Sequence, residues 1–307
     1  MLSTNLTLAM PQAETVLSRW LGSAVRCSRI EPLKGGMINT ALRLTFDRAP
    51  STAVIKLNMD QDSPVLQSER MRLDYLKTHT QLPIPRVYQY AAADQTIPYS
   101  YLLLETIPGV NMTQVSLTSE DQITTDRELA EVLIDLHGHT RDTYGRIHEP
   151  GILSWADVFV PELRTMRRNV EDKLSGPVLD DIDAAVETAK DVLKDQGTPT
   201  LTHGDIWAGN IMVDRREGAW RLTGLVDPSG SKFTDVEFEL AYLEVFNTVG
   251  SNFIDIYTAT HPLRSGYKLR RLFYWLNTHM IHVWLFDDRL YNDHVAEVAR
   301  DILLYTR

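Results

Sequence analysis

The 307-residue chain has one cysteine, Cys27. Without a second thiol, an intrachain disulfide is excluded, and so is a cysteine-based zinc site. Positive charge is also scarce: 31 Lys and Arg against 41 Asp and Glu give a formal net charge of −10. A nucleic-acid binder needs a basic surface to displace phosphate counterions, so nucleic acid is not an expected partner. Long apolar runs are missing as well. The most apolar stretch, 271-RLFYWLNTHMIHVWLF-286, carries Asn277, His279 and His282 and is shorter than the ~20 residues that span a bilayer. It reads as a buried core helix, and no membrane partner is expected. The opening MLSTNLTLAMPQAE has neither the basic nor the long apolar segment of a secretory signal, which makes the cytoplasm the expected location.

What is present is ordinary globular material, 43% apolar and 23% charged, enough for one large core or two smaller ones. Residues 11–22 have Pro at the start and Gly at the end of a short helical stretch. Between 24 and 58, the runs AVRCSRIEPL, INTALRLTF and STAVIKLN are separated by turn residues and predict three antiparallel strands. A helix is predicted over 64–78 and strands near 86–92 and 100–106. After Pro108-Gly109 the texture turns helical, with candidates at 121–138, 154–174, 177–195, 235–247, 249–260, 264–286 and 290–305. No internal repeat or low-complexity tract is visible. The reading is a small mixed lobe over 1–107 and a larger helical one over 108–307, with a ligand site expected in the cleft between them.

The chemistry concentrates in 201-LTHGDIWAGNIMV-213 and 222-LTGLVDPSG-230. Each opens as a strand and places an Asp, Asp205 or Asp227, where the strand gives out; Asn210 follows Asp205 by five residues. Any one of them alone is ordinary turn chemistry. Together they match the logic of a protein-kinase catalytic loop: one carboxylate accepts a hydroxyl proton, while an amide oxygen and a second carboxylate ligate magnesium. Lys56 sits in the apolar run 53-AVIKLN-58, where an unpartnered lysine is rare, and Glu69 lies thirteen residues on in the predicted helix. Paired, they would hold nucleotide phosphates. Gly35-Gly36 would let backbone N–H groups approach a phosphate, and Asn39 would either cap the turn or touch a phosphate. In a kinase-like layout 102-LLLETIPG-109 is the hinge, where the backbone around Glu105 and Ile107 would meet an adenine; otherwise it is a plain interdomain connector. His203 reads as a buried brace for its loop. Trp207 either stacks on a sugar ring or packs into the core.

The set GGMINTA (35–41), VIKLN (54–58), Glu69, LLLETIPG, HGDIWAGNIM (203–212), VDPSG (226–230) and VEFELAYLEVF (236–246) resembles the fructosamine kinase and aminoglycoside phosphotransferase superfamily. The fructosamine kinase branch is the nearer match. The resemblance covers most of the chain and implies an α+β, two-lobed, protein-kinase-like fold. Its N-lobe is a small antiparallel sheet with one main helix that binds nucleotide, and its larger, mostly helical C-lobe is catalytic and binds the acceptor. It implies ATP and Mg2+ as cofactors, with Asp205 as catalytic base, Asn210 and Asp227 on the metal, and Lys56 braced by Glu69 on the phosphates. Gly36, Ile38 and Asn39 would lie beneath those phosphates. Glu237 and Glu239 match the family's acidic pair and either shape the acceptor side or brace the loop.

The sequence departs from the family in the brief segment TRDTYGRIHEPGIL between 136-LHGH-139 and 154-SWADVF-159. Fructosamine kinases usually carry a longer, acceptor-facing segment there. Asp227-Pro228-Ser229 stands where protein kinases have Asp-Phe-Gly, and no extended activation loop follows, which argues against a protein substrate. The expected partner is a small hydroxyl acceptor, a fructosamine or related amino-sugar; the acidic balance suits a cationic one. The expected assembly is a monomer or weak dimer. The alternatives are an aminoglycoside or other small-alcohol phosphotransferase of the same fold, and a non-catalytic nucleotide-binding module. The last would be expected to lack one of Lys56, Glu69, Asp205, Asn210 or Asp227, and all five are present.

Overall fold

The computed structural model describes residues 6–33, 39–286 and 289–306. In chain order they form helix α1 (Met10–Leu21), strands β1 (Cys27–Pro32), β2 (Thr40–Phe46) and β3 (Thr52–Asn58), helix α2 (Pro64–His79), and strands β4 (Val87–Ala91), β5 (Ser100–Glu105) and β6 (Val110–Asn111). Helices α3 (Ser119–His137), α4 (Trp155–Asn169) and α5 (Gly176–Leu193) come next, then strands β7 (Thr200–Thr202), β8 (Ile211–Arg216), β9 (Ala219–Leu225) and β10 (Lys232–Thr234). Helices α6 (Val236–Val245), α7 (Ser251–Thr260), α8 (Tyr267–Phe286) and α9 (Arg289–Thr306) follow. Among the described residues, no helix is long and apolar enough to cross a membrane.

The chain packs as two units. One comprises Met1–Ser116 with Ala208–Ser229, the other Leu117–Trp207 with Gly230–Arg307. This grouping differs from a division after Ile107, because the later strands β8 and β9 pair with β6 and bond to the backbone of Pro83 and Pro108.

The first unit holds an antiparallel sheet in the order β1-β2-β3-β5-β4. Side chains alternate across a strand, so β3 sends Ala53, Ile55 and Leu57 into a core shared with Ala13, Val16 and Leu17 of α1. Lys56, between Ile55 and Leu57, therefore points to the opposite face. Helix α2 starts on Ser63, whose hydroxyl accepts from the Leu66 N–H, with Pro64 in its first turn. Its buried stripe is Leu66, Glu69, Leu73 and Leu76, one helical face that includes a carboxylate. A second sheet, β6-β8-β9, is closed by a two-residue hairpin at Glu217-Gly218. Both hairpin residues have positive φ, 52° and 88°, the conformation that matches the twist of paired strands.

The second unit is mainly helical. Its core collects Trp155 and Phe159 from α4, Phe238 from α6, and Phe273 and Tyr274 from α8. Trp155 Nε1 donates to Tyr274 Oη at 3.1 Å, which satisfies the indole N–H inside an apolar cluster. The predicted helix over 154–174 ends at Asn169. The backbone leaves helical geometry at Val170 (φ −107°, ψ 8°), where the fully buried Val170 side chain anchors the turn into α5. Strands β7 and β10 pair antiparallel, Thr202 opposite Lys232, and position the loop that follows β7.

Candidate active site

In the first unit the chemistry gathers around Lys56. Its Nζ lies 2.6 Å from Glu69 Oε1 and 3.2 Å from Asp227 Oδ1. Burial alone would lower the pKa of this ammonium, but Asp227 and Glu69 outweigh it and hold it above its ordinary value. Burial pushes the Glu69 carboxyl up against the pull of Lys56. The short contact, with two carboxylates around one ammonium, favours the ionised pair.

Asp227 adopts φ 58°, a left-handed conformation that Asp tolerates better than most residues. Asn210 immediately precedes β8, and Asp227 lies two residues beyond β9. Because Ile211 pairs with Leu225 and the Val226 N–H donates to Asn210 O at 2.9 Å, both residues sit at the same end of the β8–β9 hairpin. Asn39 is buried, and its Oδ1 accepts from Asn58 Nδ2 at 2.7 Å, which ties it to the end of the Lys56 strand. Glu105, the last residue of β5, exchanges hydrogen bonds with Arg86: its N–H donates to Arg86 O at 2.9 Å, and its Oε2 accepts from the Arg86 N–H at 3.0 Å. Ile107 is half-buried. Gly36 and Ile38 lie outside the described residues.

In the second unit the loop after β7 carries Asp205, held from several sides. Gly204 has φ 80° and lies so close to Gly230 that a Cβ on either would collide with the other's backbone, which requires glycine at both. Glu239, buried on α6, accepts from the backbone N–H of His203 at 3.2 Å and from that of Gly204. It also contacts His137 Nε2 at 2.8 Å, and His137 Nδ1 lies 2.6 Å from Tyr257 Oη. Burial opposes ionisation of Glu239, yet the hydrogen bond and charge of His137, with the backbone donors, hold its pKa below the usual value. His203 is fully buried and its Nδ1 accepts from the Asp205 N–H at 3.3 Å, the bracing geometry expected of it. Asp205 Oδ1 accepts from Tyr242 Oη at 2.7 Å. Trp207 is half-buried and is the last residue before the chain passes into the first unit.

The profile of the fructosamine kinases matches residues 9–304. The chain belongs to the fructosamine kinase family. A probable ketoamine kinase of Synechocystis sp. is 26% identical over 276 residues, covering 88% of this chain and 89% of its own length. Another, from Staphylococcus aureus, is 25% identical over 292 residues, covering 89% and 93%. A candidate fructosamine-3-kinase from Haemophilus somnus 129PT has the same fold in its crystal structure, with a TM-score of 0.73 at 22% identity over 95% of this chain and 96% of that one. A thermostable mutant of the aminoglycoside phosphotransferase APH(4)-Ia, solved with ADP and hygromycin B, shares it at a TM-score of 0.67 and 19% identity, covering 94% and 98%. The fold is thus the protein-kinase-like α+β fold of this superfamily, with a small antiparallel-sheet N-lobe and a larger helical C-lobe.

Within that family frame, the structure brings Lys56, Glu69 and Asp227 into direct contact and sets Asn210 beside Asp227 on the hairpin end. Glu237 is buried among guanidinium groups. It is 2% exposed, with Arg270 Nε at 2.6 Å and Arg264 Nη2 at 2.8 Å from its Oε2. Arg264 continues to Asp235 at 2.6 Å and Arg270 to Asp195 at 2.6 Å. Of the acidic pair, Glu237 therefore ties α6 to the start of α8, and Glu239 holds the loop. Residues that sequence reasoning missed are Tyr242, His137, Tyr257, Arg264 and Arg270. Tyr242 had a signal: it follows Glu239 by three positions in a helix, and residues so spaced share a face.

Proposed function

We propose that this chain is an ATP- and magnesium-dependent kinase that transfers the γ-phosphoryl group to a hydroxyl of a ketosamine. The observation that carries the reading is the Lys56 ammonium clamped between Glu69 and Asp227, with Asn210 at the same hairpin end as Asp227. Phosphoryl transfer asks little covalent chemistry of a protein and depends on positioning and charge neutralisation. Lys56 would neutralise donor phosphates, and Glu69 would keep it in place when Asp227 is drawn to a metal. Asp205 would orient the acceptor hydroxyl and take its proton.

The oxygen donors of Asn210 and Asp227 fit magnesium, a hard cation that uses few protein ligands and fills its shell with phosphate and water. Asn210 and Asp227 lie at the same end of the β8–β9 hairpin, where two protein oxygens would leave the rest of the shell to phosphate and water. When bound there, the metal would supply charge neutralisation on the phosphates.

The ketosamine class is favoured by the ketoamine kinases similar over most of this chain and by an Arabidopsis thaliana protein-ribulosamine 3-kinase, 22% identical over 89% of it. An ADP-release assay over a panel of fructosamines, ribulosamines and aminoglycosides tests the reading, with 31P NMR to locate the phosphorylated hydroxyl. ADP release with a ketosamine supports it. Turnover confined to aminoglycosides moves the acceptor class, and no turnover with any acceptor refutes the assignment.

A further inference from the structure

We propose that Tyr242 is a positioning residue for Asp205: its phenol engages one carboxylate oxygen and sets the rotamer with which Asp205 would meet the acceptor hydroxyl. This rests on the reading of Asp205 as the acceptor-side carboxylate.

The observation is the 2.7 Å hydrogen bond from Tyr242 Oη to Asp205 Oδ1, within one unit of the fold. Helix α6 makes two attachments to the loop from one face. Glu239 takes the backbone N–H groups of His203 and Gly204, and one turn later Tyr242 takes the side chain. The loop backbone and the carboxylate rotamer are thus fixed by the same rigid element, the arrangement a preorganised site requires.

The Tyr242 ring is itself held. Phe246 packs edge-on at 4.9 Å, His282 lies 5.1 Å beyond Phe246, and Tyr291 lies 4.7 Å from His282. Burial first, then the adjacent carboxylate of Asp205, pushes the Tyr242 phenol far above its ordinary value, so it remains a proton donor throughout the working range of pH. Glu239 on α6 and Tyr291 on α9 act electrostatically on the phenol, His203 on the loop accepts from the Asp205 N–H, and His282 of α8 lies behind Phe246. Burial lowers the pKa of His282, so that ring stays neutral where the kinase would operate. A neutral donor to a carboxylate favours its ionised form. Removing the hydroxyl therefore raises the pKa of Asp205 and weakens the hold on its rotamer.

The test is Tyr242→Phe, which keeps the ring and deletes only the hydroxyl. Carboxyl-13C NMR of aspartate-labelled protein, with the Asp205 signal assigned by its loss in Asp205→Asn, is expected to show Asp205 titrating at higher pH in the variant, by up to about tenfold in proton affinity. With a ketosamine acceptor, kcat is expected to fall about tenfold and its acid limb to move to higher pH, with KM for ATP within about twofold of wild type. An unchanged Asp205 titration overturns the proposal. So does a rise in kcat, which would mean that the phenol competes with the acceptor for the carboxylate. The NMR readout needs no acceptor. If it shifts while no ketosamine is turned over by wild type, Tyr242 keeps its role toward Asp205 and only the functional reading fails.

Discussion

Replacing Glu69 by Gln separates the donor-side ammonium from the carboxylate closest to it. Glu69 is 4% exposed and its carboxylate lies 2.6 Å from Lys56, and Gln preserves its shape while removing its charge. In the unliganded protein Lys56 still has Asp227 at 3.2 Å. The stability cost is therefore that of one hydrogen bond between charged groups, about 1.5–3 kcal/mol, rather than the larger cost of stranding a buried charge. In the nucleotide complex the account has Asp227 drawn to the metal, so Lys56 loses both anchors at once. The expected result is a kcat/KM for ATP lower by roughly 10- to 100-fold, or about 1.4–2.8 kcal/mol. Steady-state ADP release with varied ATP and saturating acceptor reads the catalytic effect, and thermal melting reads the stability. The pair also has a pH signature. The folded pKa of Lys56 lies above its ordinary value, so its contribution is complete below about pH 10 and is lost as pH rises through the folded value. In Glu69→Gln the folded value is lower, so the alkaline loss is smaller and is complete at lower pH. A variant whose kcat/KM for ATP stays within twofold of wild type would refute the reasoning, whatever its melting temperature.

Glu239→Gln puts an amide NH2 where the loop backbone of His203 and Gly204 needs an acceptor, and is expected to destabilise by about 2–3 kcal/mol and to lower kcat. Because the pKa of Glu239 is depressed in the fold, its stabilisation is present above the ordinary Glu value of about 4.3 and is lost as pH falls through the folded one. The acid limb of a melting-temperature profile should be steeper in wild type than in the variant. Arg270→Met leaves Glu237 short of one guanidinium in a buried site, with an expected loss of about 3–5 kcal/mol. KM for the acceptor is expected to stay unchanged in the folded protein, and a raised acceptor KM would return Glu237 to the acceptor side.

Much of the fold is legible in the sequence because its signals are local. The alternation in 53-AVIKLN-58, with Lys56 out of phase with Ala53, Ile55 and Leu57, already separates a core face from a polar one. The helical spacing of Leu66, Leu73 and Leu76 places Glu69 on the inward stripe. Strand β6 was not legible, because two residues carry no periodicity and Val110 and Asn111 are strand only through pairing with Val213 and Met212. The same long-range pairing explains why 208–229 packs with the N-terminal unit although it comes a hundred residues later. At the candidate site, the types and spacing of Asp205, Asn210 and Asp227 announce chemistry on their own. The supports of the loop do not: His137 reaches Glu239 from 102 residues away, and Arg270 reaches Asp195 from 75. Only the folded chain shows that these groups meet.

In the proposed division of labour, Asp205 serves the acceptor while Lys56 and Asp227 serve the nucleotide. Asp205→Asn tests it most directly, assayed for ADP release with the best ketosamine and for ATP binding by calorimetry in magnesium. The account predicts turnover reduced by at least about a thousandfold, at the strong end for a group that both orients the acceptor and takes its proton, with ATP affinity within about twofold of wild type. Substantial residual turnover, or loss of ATP binding in a variant that melts like wild type, would contradict it.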